Sequence, residues 1–139
     1  MKLKNSLEEA IFVLVAFSEL EEHATLRSVD ISEKLEVSTT YLKKILRKLV
    51  VEDILISHAS KKGGFSLAKP LDQIYLLDVF NAIEGHDSCV DPHHLANKIY
   101  QNKVTAAHAE ENYVRFFRES EAEFKKSLSQ YTVQDILSK

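Results

Sequence analysis

Leu7, Ala10, Ile11, Leu14, Phe17 and Leu20 return every three or four residues, the spacing of one helix face. Phe12, Val13, Val15 and Ala16 fill the other sides, so this first helix is apolar nearly all round and needs cover on more than one face. In a chain of 139 residues a second subunit is a natural cover. Ser6 and Glu9 have the spacing of a capping box at its start. Arg27 to Leu35 predicts a short second helix with Val29, Ile31 and Leu35 turned to the core. Glu36 and Val37 make a tight connection, and Ser38 suits the N-cap of a third helix. That helix sends Leu42, Ile45, Leu46 and Leu49 inward and places Tyr41 at the edge. Its other side carries Thr39, Thr40, Lys43, Lys44, Arg47 and Lys48. Two short helices joined by a turn, the second amphipathic and basic, form the helix-turn-helix pattern.

The period then changes. Ile54 to Ser57 is a β-branched run, His58 to Gly64 is a polar tip, and Phe65 to Leu67 is the return strand. Gly63 and Gly64 allow the backbone to turn through conformations closed to other residues. The segment predicts a hairpin with Lys61 and Lys62 at its tip, and a basic hairpin directly after a helix-turn-helix is a wing. Ile74 and Tyr75 suit a short strand, and Leu76 to Glu84 a fourth helix with Gly85 as its C-terminal cap. A polar loop runs to Pro92, then a helix from about His93 to Gln101 and a long one from about Val104 to Ser129. In the long helix Ala107, Val114, Phe117, Phe124 and Leu128 fall near heptad positions, flanked by Tyr113 and Phe116. Thr132 and Asp135 cap a final turn carrying Val133, Ile136 and Leu137. The fold class is therefore mainly α with a small β-hairpin wing. Its expected divisions are a winged helix-turn-helix over 1–85, a loop and short helix over 86–103, and a dimerisation helix with its turn over 104–139.

Composition sharpens this outline. Apolar residues make up 45% of the chain, enough for one domain with a core, and only three glycines and two prolines interrupt it. No run approaches the length of a membrane span, and Glu8 and Glu9 stand where a signal peptide would be positive. A cytoplasmic protein without a membrane partner is expected. Cys89 is the single cysteine, in keeping with a reducing compartment. The net charge of −3 argues against nucleic acid, but its distribution does not. Between Ser38 and Lys69 the net charge is +5, leaving −8 for the rest. An acidic body with one basic patch suits a regulator that must not bind everywhere.

The segment from Ser38 to Gly85 carries an ordered set of motifs. Ser38 precedes Tyr41-Leu42-Lys43-Lys44-Ile45-Leu46 and Leu49; Ser57 precedes Gly63-Gly64-Phe65-Ser66-Leu67-Ala68-Lys69-Pro70; Ile74, Asp78-Val79 and Ala82-Ile83-Glu84-Gly85 follow. In this order they resemble the Rrf-two family of bacterial transcription regulators, of the IscR, NsrR and CymR type. The resemblance implies an N-terminal winged helix, a long C-terminal dimerisation helix and a sensor loop between them. Three departures stand out. Cluster-binding members carry three cysteines in the loop after Glu-Gly, whereas this chain has only Cys89, and one thiolate cannot hold an iron–sulfur cluster. Ala59-Ser60 replaces a frequent Arg-Gly of the wing, and Asp53 stands where a glycine usually follows the recognition helix. Aspartate tolerates a left-handed backbone better than most residues.

The expected function is a DNA-binding transcription regulator, a repressor that binds a palindromic operator as a homodimer with one recognition helix and wing per half-site. Ser38, Thr39, Thr40, Lys43, Lys44, Arg47 and Lys48 would meet bases and phosphates, with Lys61 and Lys62 on phosphate or the minor groove. Phe12, Val114, Phe117, Phe124 and Leu128 are the expected dimer interface. No cofactor, iron–sulfur cluster or metal is expected, and the effector is unknown. Cys89, beside His86, His93 and His94, has three open roles: a redox thiol, a zinc or copper ligand, or part of a loop that senses nothing. A winged helix that binds a protein in place of DNA is the alternative function. An enzyme is not expected, because Cys89 and a histidine lack an oriented third group and an oxyanion element.

Overall fold

The computed structural model describes residues 1–61 and 63–139, so the expected wing residue Lys62 lies outside the described residues. The chain divides into two compact units, residues 1–85 with 128–139, and residues 86–127. The last turn, expected to belong with the long helix, thus groups with the winged helix.

In the first unit, α1 (Asn5–Ala16), α2 (Ser28–Leu35), α3 (Thr39–Val51), β1 (Leu55–Ser57), β2 (Phe65–Leu67), α4 (Leu76–Glu84) and the final turn α7 (Val133–Leu137) close one core. Leu14, Ile31, Leu42, Ile45, Leu46 and Leu49 are fully buried there. Val29 is not; it is 41% exposed, and Ser32 is buried in its place. The sequence pattern misses this because Ser32 is polar, and only its hydrogen bonds make burial tolerable. α1 starts without the expected capping box: Lys4 occupies the N-cap, and its side chain pairs with Glu84 at 3.0 Å and caps nothing. By contrast, Thr132 and Asp135 do form the reciprocal cap of α7 (Thr132 N to Asp135 carboxylate 2.8 Å, Asp135 N to Thr132 hydroxyl 3.2 Å). Only Val133 of that turn is fully buried, while Ile136 and Leu137 stay exposed. Tyr75 and Thr132 pair as a single β-bridge, so the strand expected at Ile74–Tyr75 is reduced to one rung.

β1 and β2 are antiparallel, with Leu55 opposite Leu67 and Ser57 opposite Phe65. The inward residue of β2 is Ser66, not its apolar neighbours, which are half-buried. Ser66 is satisfied by His58 Nε2 at 2.7 Å. β2 also pairs with the segment ahead of α2: Leu26 N donates to Phe65 O at 2.9 Å and Phe65 N to Leu26 O at 2.8 Å. A Cβ on Gly64 would stand 2.8 Å from that Leu26 carbonyl, and Gly64 has φ +100°. Gly64 is thus fixed by close backbone approach as well as by turning.

The second unit has less regular structure than expected at its start. Of the helix expected from His93 to Gln101, only α5 (Ala96–Ile99) forms. α6 (Lys103–Leu128) follows over 26 residues. Its expected heptad row is shifted: Ala106 is buried and Ala107 exposed. Val114, Phe124 and Leu128 are half-buried, whereas Tyr113, Phe116 and Phe117 are exposed.

Candidate nucleic-acid interface

The turn between α2 and α3 is built by hydroxyl groups. Glu36 takes the left-handed conformation at φ 55°, ending α2. Ser32 Oγ donates to Val37 O at 2.7 Å and lies 3.0 Å from Thr39 Oγ1. The serine proton is committed to the carbonyl, so Thr39 is the donor of the second bond. Ser38 accepts from Tyr41 N at 3.5 Å, the expected N-cap, though a long one. Thr39, expected among the DNA-contacting residues, is therefore half-buried and engaged in the turn, where it positions α3.

α3 then sorts its residues sharply. Leu42, Ile45, Leu46 and Leu49 are buried, and Thr40, Lys43, Lys44, Arg47 and Lys48 are exposed. Tyr41 is 42% exposed, an edge aromatic as expected. Two of the basic residues have partners within the unit. Lys48 Nζ donates to Ile83 O at 3.4 Å, meeting a carbonyl left open near the end of α4. Lys69 Nζ lies 3.9 Å from Asp78, the carboxylate that accepts from Tyr75 N at 2.9 Å. Lys43, Lys44 and Arg47 form the remaining exposed basic row of the helix. Lys61 is exposed on the hairpin. Asp53 follows α3 with φ 58°, so the residue that replaces a glycine does adopt the left-handed backbone.

Sequence reasoning passed over Arg27. It stands between the Leu26–Phe65 bridge and the first turn of α2, with Nε 3.2 Å and Nη2 3.4 Å from the Asp30 carboxylate. This hydrogen-bonded pairing holds Asp30 below and Arg27 above their ordinary pKa. The i,i+3 spacing of opposite charges was the available signal.

The loop after Gly85 is organised by α6. Glu121 accepts from Cys89 N and from Ser88 Oγ, both at 2.8 Å, and lies 3.4 Å from Lys125 Nζ. The backbone donor of Cys89, then the Ser88 hydroxyl, hold the Glu121 carboxyl below its ordinary value. Cys89 itself is exposed. The nearby histidines are drawn elsewhere: His94 Nδ1 is 2.7 Å from Glu110 and His93 Nε2 is 4.0 Å from Asp91.

A helix-turn-helix whose second helix turns a basic row outward, followed by a hairpin, is the winged helix of transcription regulators. Comparisons with known proteins name the family. A model described as Rrf2, iron-dependent transcriptional regulator, matches residues 3–139, and the chain belongs to that family. It is 41% identical over 103 residues to YwgB of Bacillus subtilis, named as an HTH-type transcriptional regulator, covering 74% of this chain and 66% of that protein. It is 46% identical over 85 residues to YffB of Lactococcus lactis, with the same kind of name, covering 61% and 54%. The matches thus span about two thirds and about half of those relatives' own lengths. The fold is shared with the structure of CymR, the global cysteine regulator of B. subtilis, at a TM-score of 0.68 and 18% identity over 99% of this chain and 97% of that one.

The family description mentions iron, and the donor set here does not fit an iron–sulfur cluster. The whole chain has one thiol. Among the described residues, no three His, Cys, Asp or Glu side chains are gathered where they could hold a metal.

Proposed function

We propose that this protein is a DNA-binding transcription regulator that acts as a homodimer on a palindromic operator, as a repressor, in the cytoplasm. One observation carries the reading: on α3 the exposed Thr40, Lys43, Lys44 and Arg47 lie opposite the buried Leu42, Ile45, Leu46 and Leu49. A row of cations on a helix held rigid by its core is suited to the major groove, with Thr40, Lys43 and Lys44 nearest base edges and Arg47 on phosphate. Ser38 and Thr39 contribute mainly by setting the start of that helix. Lys48 keeps donor capacity beyond its bond to Ile83, and Lys61 and Lys62 of the wing add phosphate contacts. Phe12, Val114, Phe117, Phe124 and Leu128 are assigned to the dimer interface, and the exposure of Phe12 (43%) and Phe117 (55%) supports that assignment. The regulator works without an iron–sulfur cluster or other cofactor and is not an enzyme. The single thiol supports the first statement and membership in a regulator family the second.

The test is a salt titration of binding to the DNA upstream of the protein's own gene, followed by fluorescence anisotropy. Arg47→Ala should weaken binding to all duplexes alike and reduce the salt slope by about one unit. Lys43→Ala should cost about tenfold or more on the operator and little on unrelated DNA. Binding that ignores salt and both substitutions would refute the reading and favour a protein partner for the same face.

A further inference from the structure

Arg27 belongs to neither α3 nor the hairpin, yet the backbone ties it to both. Leu26 exchanges two hydrogen bonds with Phe65 of β2, at 2.9 and 2.8 Å. One residue further on, the chain runs so close that a Cβ on Gly64 would stand 3.3 Å from Arg27 N. Gly64 O also accepts from His58 N of the opposite strand at 2.9 Å. From Arg27, α2 runs eight residues, about 12 Å of helix, to the turn that Ser32 builds ahead of α3. Arg27 thus stands where the wing meets the first helix of the helix-turn-helix.

Side chains alternate along an extended segment. Leu26 is buried, and Arg27 turns the other way, to solvent, with 62% of its side chain exposed against 40% for Asp30. A guanidinium has two planar edges, each able to grip an oxyanion through parallel N–H donors. Asp30 takes one edge, with Nε 3.2 Å from Oδ2 and Nη2 3.4 Å from Oδ1. The other edge, Nη1 with the second proton of Nη2, has no acceptor among the described residues. Glu33 acts on Arg27 only through its field, as the smallest influence. An exposed ion pair of this kind adds little stability, but it fixes the plane in which the free edge lies. The hairpin has lysines and no arginine, so Arg27 brings to that side a planar donor the wing lacks.

In a helix-turn-helix the second helix enters the major groove while the first crosses the phosphate backbone, and α2 is that first helix. A duplex met by α3 on one side and by the wing on the other carries a strand of phosphates between them. We propose that Arg27 is a further DNA-contacting residue that grips one of these phosphates with its free edge, an assignment that rests on the DNA reading above. Asp30 stays on the first edge and holds the guanidinium in place. The contact is to backbone, so it strengthens binding without selecting sequence.

Fluorescence anisotropy of the full chain on the duplex upstream of its own gene, and on an unrelated duplex of equal length, tests this across a range of salt. Arg27→Ala should weaken binding about tenfold on both duplexes and reduce the salt slope by about one unit. Arg27→Lys keeps the charge and loses the planar edge. It should restore the slope yet leave binding about threefold weaker than with arginine. The thermal unfolding midpoint should stay unchanged in both variants. Affinity and slope untouched by Arg27→Ala would overturn the proposal, and so would full recovery by lysine, which would reduce Arg27 to a distant charge. Arg47→Ala, measured alongside, separates the two readings. If it lowers the slope while Arg27→Ala does not, only Arg27 leaves the interface; if binding ignores salt and both substitutions, the DNA reading falls and this assignment with it.

Discussion

The two compact units of this chain treat their apolar residues in opposite ways. In residues 1–85 with 128–139, helices from both ends of the sequence bury Leu14, Ile31, Leu42, Leu46, Val79 and Val133 almost completely. In residues 86–127 the buried apolar side chains among the described residues are Val90 and Ala106. Leu95, Ile99, Tyr100, Val104, Phe116 and Phe117 are instead 45–76% exposed. Exposed apolar side chains of this kind suit the proposed homodimer interface. The first unit reads as a finished core that can present a rigid helix. The second reads as half a core, and the proposed homodimer supplies the other half.

The largest expected effect breaks the finished core. Leu46→Ala removes a side chain with no exposed surface, and should cost about 2–5 kcal/mol in denaturant unfolding. Against a typical total of about 5–15 kcal/mol, that is a large share of the stability. A loss below about 1 kcal/mol would show that the core is looser than its burial implies.

Next comes the half core. Phe117→Glu places a charge on the exposed row and should convert a dimer into a monomer in light scattering. Because Phe117 is 55% exposed in the single chain, unfolding of the monomer should shift by only about 0.5 kcal/mol. A dimer that survives the change would remove Phe117 from the interface.

The smallest effect concerns the loop that joins the two regions in sequence. Glu121→Gln keeps one acceptor for Cys89 N but loses the charge that also holds Ser88. Exchange of the Cys89 amide should quicken by up to about tenfold. The same contact has a pH dependence of fixed sign. The Glu121 carboxyl is held below its ordinary 4.5, so its contribution is present in full above that value. It is lost as pH falls through the lower folded-state value. An NMR titration of Glu121 with a midpoint at or above 4.5 would contradict its hydrogen bonds to Ser88 and Cys89.

The elements of the winged helix were legible because each has a local cause. Ser38 before an amphipathic run, paired glycines in a polar tip, and Gly85 after an apolar helix each act within a few residues. The features that were missed depend on the folded backbone and its contacts, which the residue pattern does not display. Ser32 is buried because Val37 O and Thr39 meet its hydroxyl. Ser6 and Glu9 have a cap's spacing, yet the N-cap is Lys4 and the helix begins at Asn5. The His93–Gln101 helix shrinks to Ala96–Ile99, as His94 takes a left-handed backbone at φ 57°. In the candidate site, the exposed row of Lys43, Lys44 and Arg47 followed from helical period alone. The engagement of Lys48 with Ile83 and of Lys69 with Asp78 did not.

By itself the sequence determined the helix-turn-helix, the hairpin, the basic row and the single thiol, because periodicity, capping chemistry and residue counts are properties of the chain. Only the tertiary structure decided which hydroxyls build the turn, and that β2 pairs back to Leu26. It alone brought Glu121 to the Cys89 loop and Glu110 to His94. The pairing of β2 with Leu26 and of Glu121 with the Cys89 loop joins residues distant along the chain, and a one-dimensional pattern carries no measure of such approach.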